Sequence, residues 1–354
     1  MANTVKLPGF CDVHVHFRQP GFEYKETIKT GSMAAARGGY TAVCTMPNLN
    51  PVPDTFEHLK LQLDAIESDG LIDVLPYGSI TVGEKGEALS DMDAMADDAV
   101  SFSDDGHGVD SDDLMRAAMK KAASLGKILT AHCEDKSAPA PDSEWLEVER
   151  NIKLAKETGC GLHICHVSTK QSVEYVRQAK AEGIDVTAET APHYLLFDKS
   201  MIEDSGRFKM NPPIGSAGDR EALIEAVIDG TIDMIATDHA PHSAEEKARG
   251  FKDSLSGIVG LETAFPVLYT GLVKTNIISL DRLLELMVYA PRKRFNIALS
   301  DEDYSIWDLD EEYVIDTKEF LSKGKSTPFE NRRVFGRCLK TVYKGAIVWQ
   351  REQI

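Results

Sequence analysis

The segment Asp12-Val13-His14-Val15-His16-Phe17-Arg18 sets two imidazoles two residues apart. On a β-strand, residues at that spacing face the same side. His14 and His16 would therefore point together, and two imidazoles so placed can share one metal ion. Alone, the pair is equally compatible with two structural histidines. Three further runs change the balance: Thr130-Ala131-His132-Cys133-Glu134, Ile164-Cys165-His166-Val167-Ser168, and Ala236-Thr237-Asp238-His239-Ala240-Pro241-His242. Each is apolar until its last residues and then presents His or Asp. One such residue is usually a satisfied core or cap residue, whereas His14, His16, His132, His166 and Asp238 together point to a metal centre. Two zinc ions about 3.5–4 Å apart would share a bridging hydroxide and polarise a carbonyl. Asp238 is then placed to act as general acid/base, taking the proton of the attacking water and handing it to a leaving nitrogen. The implied chemistry is hydrolysis of an amide-like bond, or its reverse. A carboxylate bridge is still needed. Ser101-Phe102-Ser103-Asp104-Asp105-Gly106 offers one at the end of another strand-like run. Either Asp104 or Asp105 could serve, and Asp-Asp-Gly is also what a plain turn uses.

Positioning these groups requires strands that end at one rim. Strand-like runs occupy 9–17, 40–46, 73–81, 99–103, 127–132, 161–167, 184–190 and 232–237. Helical patterns follow at about 26–37, 54–68, 86–96, 111–125, 143–158, 169–182, 218–229 and 260–273. Serial strand–helix units predict a parallel sheet, and this many predict an α/β fold closed as a TIM-type (β/α)8 barrel. Gly38-Gly39 and Gly126 stand where helices should stop. The His- and Asp-bearing segments fall just past strand ends, on the face where barrel enzymes keep their chemistry. Residues 274–298 read as helical, with Ser279 as a cap. After 300, Tyr304–Leu309, Tyr313–Asp316 and Leu339–Trp349 alternate like strands. The expected division is a barrel over 7–299 and a small, reduced β appendage over 300–354 with 1–6.

Composition sets the outer limits. A chain of 354 residues with 42% apolar content can bury a large core. The net charge of -18 argues against a nucleic-acid partner, whose phosphates demand a basic face. It leaves room for a small anionic substrate, since local Arg and metal charges can dominate a cleft. The cysteines (Cys11, Cys44, Cys133, Cys160, Cys165, Cys338) do not form a disulfide-framework pattern, which fits a reducing, cytoplasmic setting. No run approaches the roughly 18 apolar residues of a membrane span, and the N-terminus lacks a signal-peptide pattern.

The segments at 12–21 (Asp-Val-His-Val-His-Phe-Arg-Gln-Pro-Gly), 36–41, 46–48, 102–106, 131–135, 165–170, 209–213 and 236–242, continued by 257–266, resemble in order the bacterial class I dihydroorotases of the amidohydrolase superfamily. The resemblance spans roughly 7–298. It implies zinc, one or two ions per chain and two by the full ligand set. His14, His16, Asp105 and Asp238 would hold one ion, and Asp105, His132 and His166 the other. Many relatives bridge with a carboxylated lysine; here Asp105 stands in that place, as in the aspartate-bridged branch. The resemblance further implies that Arg18, Asn48 and the side chain of His242 bind a substrate carboxylate. Asn211 would contact the ring or ureido group, and Gly257 would offer its backbone. The activity implied is reversible cyclisation of N-carbamoyl-L-aspartate to L-dihydroorotate in pyrimidine biosynthesis. Two alternatives stand beside it: another cyclic amidase of the allantoinase or hydantoinase type, and a non-catalytic partner of a transcarbamoylase. A homodimer and an aspartate transcarbamoylase are the candidate partners. Three departures from the family pattern stand out: a short run ahead of His14, a shortened stretch after Asp135, and Leu255-Ser256-Gly257 in place of Pro-Phe-Gly. The polar run 244–253 is expected to form a mobile loop over the site. His239 is read as orienting Asp238 or a ligand, and His58, His107, His163 and His193 as structural.

Overall fold

A computed structural model describes residues 4–352. Local chemistry explains its helices. Thr27, Thr55, Ser111, Thr169 and Ser216 each accept a backbone N–H from the third residue into the helix, which satisfies one of the unpaired first-turn donors. Helices Asp142–Thr158 and Ala217–Asp229 stop at Gly159 and Gly230, both in the left-handed conformation.

The strands are β1 (Thr4–Pro8), β2 (Phe10–Val15), β3 (Tyr40–Thr45), β4 (Asp73–Pro76), β5 (Leu129–Ala131), β6 (Leu162–Ile164), β7 (Val186–Thr190), β8 (Met234–Ile235), β9 (Tyr304–Val314), β10 (Arg333–Tyr343) and β11 (Ala346–Gln350). Strands β2–β3–β4 and β5–β6–β7–β8 form two parallel sheets. Single bridges join them into a ring: Phe102 pairs with Gly78 on one side and Leu129 on the other, and Val15 pairs with His239. Every residue of β2 and β3 is buried, as a parallel strand with helices outside and a packed interior requires. The architecture is the predicted α/β barrel.

The strands are shorter than their apolar runs. The run 73–81 ends as a strand at Pro76, and 99–103 pairs only at Phe102. The cause is local. The Asp104 carboxylate accepts the N–H groups of Ile80 (2.7 Å) and Thr81 (3.0 Å) and the Thr81 hydroxyl, which draws that segment out of the ladder. The helix expected over 86–96 is confined to Met92–Met95.

Strands β1, β9, β10 and β11 make an antiparallel sheet in that order, so Thr4–Pro8 is sewn to the tail by pairing with Tyr304–Asp308. Trp307 fixes this sheet to the barrel floor, with ring centroids 5.7 Å from Phe10 and 4.3 Å from Phe265. The Thr341 hydroxyl donates to the Ala36 carbonyl at 2.6 Å. All six cysteines are buried and unpaired. No helix among the described residues is long and apolar enough to cross a membrane.

Candidate metal centre

The strand ends deliver their polar groups to one place. Asp105 lies at the centre. Its Oδ1 is 3.3 Å from His14 Nε2, 3.4 Å from His132 Nδ1 and 3.6 Å from His166 Nε2, and its Oδ2 is 3.4 Å from His16 Nε2. Asp238 Oδ1 is 3.1 Å from His16 Nε2 and 3.6 Å from His14 Nε2. The donor atoms of His14, His16 and Asp238 fall within 4.8 Å of one another, as do those of Asp105, His132 and His166. Asp104, the other acid of the pair, is turned away and spent on residues 80–81. Three of the positive-φ residues other than glycine are Arg18 (59°), His166 (33°) and Asp238 (47°). Each holds an uncommon backbone conformation at the site, and such residues cost about 1–3 kcal/mol apiece.

The donor set fits divalent cations. His14 Nε2, Asp105 Oδ1 and His166 Nδ1 are buried without hydrogen-bond partners. A buried polar atom left so costs about 1–3 kcal/mol, and two of these three are aimed into the cluster. Burial pushes the Asp105 carboxyl up, but the imidazoles of His14, His132 and His166 outweigh it and hold it well below the usual range.

Several supporting residues escape a reading by type and spacing. Glu189, next to last in β7, accepts from His14 Nδ1 (2.6 Å) and His163 Nε2 (3.1 Å). His163 also meets the Thr187 hydroxyl, so both its nitrogens are used. Asp12 accepts the backbone N–H groups of His14 and Thr237, tying β2 to the end of β8. Glu134 lies 3.3 Å from His132 Nε2 and accepts from Asn211 Nδ2 at 3.0 Å, and the His132 contact holds its carboxyl down at about 2. The available signal was an acid near the end of an otherwise buried run, as Glu189 is. His239 Nε2 meets Glu26, which also accepts from the hydroxyl of Ser322 in the tail. His193 is buried, and burial lowers it to about 4.

A cavity of about 230 Å³ opens over the cluster, with Arg18, Asn48, Asn211, His242 and Gly257 in its wall. Arg18 is 9% exposed and reaches only the Asn48 side-chain oxygen and the Pro241 carbonyl, each at 3.4 Å. No carboxylate pairs with it among the described residues. A buried guanidinium without an acid partner is suited to an incoming anion. His242 is differently placed. Its Nδ1 is 3.2 Å from Lys25 Nζ and its Nε2 donates to the Ser256 carbonyl at 2.7 Å. Burial, with Arg18 and Lys25 nearby, drives this imidazole down to about 3. Both ring nitrogens are thus spent within the protein, so a substrate group reaching either must displace Lys25 or Ser256. The run 244–253 forms two short helical turns, with Lys247 buried beneath them.

Similar proteins are known. The Dihydro-orotase-like family matches residues 3–143. A dihydroorotase from Fusobacterium nucleatum is 47% identical over 98% of this chain and 88% of its own length. One from Ligilactobacillus salivarius is 46% identical over 99% and 88%. Among solved structures, an L-hydantoinase (dihydropyrimidinase) from Arthrobacter aurescens superposes with a TM-score of 0.88 at 27% identity, covering 99% of this chain and 86% of that one. The barrel is that of the amidohydrolases, and the chain is one of their metal-dependent cyclic amide hydrolases. Within that class, the chain belongs to the dihydroorotase family, whose members serve pyrimidine biosynthesis.

Proposed function

We propose that this protein catalyses the reversible cyclisation of N-carbamoyl-L-aspartate to L-dihydroorotate, as a class I, aspartate-bridged member of its family. Two zinc ions would be held, one by His14, His16, Asp105 and Asp238, the other by Asp105, His132 and His166. The observation carrying the reading is the central carboxylate, with Asp105 Oδ1 3.3, 3.4 and 3.6 Å from three imidazoles and Oδ2 3.4 Å from a fourth. When bound, the metals supply water activation at neutral pH and polarisation of a carbonyl.

The rest falls to the chain. In the hydrolytic direction Asp238 accepts the proton released by the attacking water. As the C–N bond breaks, it returns that proton to the departing ring nitrogen; cyclisation runs the same transfers backwards. Arg18, with Asn48 beside it, binds the substrate carboxylate, which favours an anionic substrate over the uncharged rings of hydantoinases. His242 closes the carboxylate pocket, Asn211 meets the ring or ureido group, and the Gly257 backbone lines the opposite wall. A catalytic unit of 7–299 with its appendage, residence in the cytoplasm, a homodimer and an aspartate transcarbamoylase partner complete the proposal.

The test is a zinc-loaded assay in both directions on wild type and Asp238→Ala. The expected result is turnover of both substrates by wild type and a loss of about 10²–10⁴-fold in the variant, the usual worth of general acid/base catalysis. Equal rates in the two proteins would remove the role of Asp238. A wild type that opens hydantoins or allantoin but neither expected substrate would overturn the function.

A further inference from the structure

The side chain of Lys247 projects from the turn Ala244–Lys247 into the protein, leaving the residue 8% exposed. Its ammonium donates to the carbonyls of Lys209 (3.0 Å), Leu255 (2.7 Å) and Gly257 (2.7 Å). An ammonium has three donors and no acceptor, so these carbonyls use its whole capacity. No carboxylate pairs with it among the described residues. Burial, with the charge of Lys209 next, brings this amine down to about 7, while Glu246 works the other way.

The carbonyls belong to the two segments that flank the substrate cavity. Lys209 stands two residues before Asn211. Leu255 and Gly257 bracket Ser256, whose carbonyl holds His242. The segments also touch directly, since Gly257 N–H donates to the same Lys209 carbonyl at 3.0 Å. Gly257 has φ +132°, and a Cβ there would meet the Ala240 carbonyl oxygen at 2.6 Å, so no other residue fits this backbone. On the far side Asn211 is tied to Glu134. The cavity walls are therefore clamped at their backbones, and the Lys247 ammonium is the side-chain cross-link beside the direct Gly257–Lys209 hydrogen bond.

We propose that Lys247 is a positioning residue for substrate: by bridging the Lys209, Leu255 and Gly257 carbonyls, it sets the separation of the Asn211 and Ser256–Gly257 walls and hence ground-state affinity. The inference rests on the proposed roles of Asn211 and Gly257. Lys247 touches neither the metal cluster nor the reacting atoms, so its loss acts on binding and leaves the chemical step in place. Arginine would not replace it, because a planar fork cannot converge on three carbonyls as a compact ammonium does.

The experiment compares zinc-loaded wild type, Lys247→Met and Lys247→Gln by steady-state cyclisation of N-carbamoyl-L-aspartate and by calorimetric binding of the same compound. Removal of a buried, charge-assisted contact predicts a KM and Kd raised about tenfold or more in Lys247→Met, with kcat within about threefold of wild type and zinc content unchanged. Lys247→Gln, which keeps two N–H donors, falls between. The proposal is overturned if KM and Kd in Lys247→Met stay within about twofold of wild type, or if the loss falls on kcat alone. Should Lys247→Met not fold, the same limits applied to Lys247→Gln decide it. A wild type without turnover rejects the functional reading instead, and the Kd ratio then decides the clamp; no binding by wild type rejects both.

Discussion

Glu189 Oε1 lies 2.6 Å from His14 Nδ1, and the other nitrogen of that ring faces Asp105 and Asp238 with no hydrogen-bond partner. A carboxylate on one ring nitrogen makes that nitrogen the donor and leaves a lone pair on the other, aimed at the cluster. Burial pushes the Glu189 carboxyl up, but its contacts with His14 and His163 outweigh that and hold it at about 2. Glu189 also accepts from His163 and from the backbone N–H of His166, so one acid orients groups on both sides of the site.

Glu189→Gln can donate as well as accept, and so releases the His14 tautomer. Zinc affinity measured by chelator competition is expected to fall about 10–100-fold, the usual cost of losing a ligand's orienting partner. An unchanged affinity would show that Glu189 serves only packing.

The adjacent acids separate cleanly. Asp104 takes two backbone N–H groups and a hydroxyl, whereas Asp105 takes none of these and faces the imidazoles. Asp104→Ala is expected to cost about 2 kcal/mol or more of stability in urea denaturation while keeping both zinc ions. Asp105→Ala is expected to lose zinc by metal analysis while folding. The reverse pattern would assign the bridge to Asp104.

His242 carries a pH signature. Its imidazole sits at about 3 against an ordinary 6.5, through burial and the charges of Arg18, Lys25 and Lys247, with the Ser256 carbonyl and the nearby Glu246 opposing. Between those values the unfolded chain binds a proton that the folded chain does not. Stability from this residue is therefore complete above pH 6.5 and is lost as pH falls toward 3. Metal-free wild type is expected to lose more stability than His242→Gln between about pH 7 and pH 5 in urea titrations. Parallel curves would mean that the imidazole charges freely in the folded protein.

How much of this was legible follows from where each cause lies. His14, His16, His132, His166 and Asp238 end apolar runs, and a period of two aims such residues at one rim, so their gathering is readable along the chain. The barrel is readable for the same reason: repeated runs with Thr and Ser caps between them. Glu189 stands near the end of β7 in the same manner, but a lone acid before Thr-Ala-Pro also suits a turn. The choice between Asp104 and Asp105 depends on which way the chain leaves Phe102, and that is decided by the N–H groups of Ile80 and Thr81. The strand lengths were overestimated because apolar residues continue past the last ladder hydrogen bond. The saturation of His242 needed Lys25, which lies far off in sequence on another loop.

The central claim is that separate strand ends hold a pair of cations around Asp105. Diffraction data collected above and below the zinc absorption edge from zinc-loaded crystals test it directly. Two anomalous peaks are expected, one bordered by His14, His16 and Asp238 and the other by His132 and His166, with Asp105 between them. A map with no peak there, or with zinc bound away from Asp105, would contradict it.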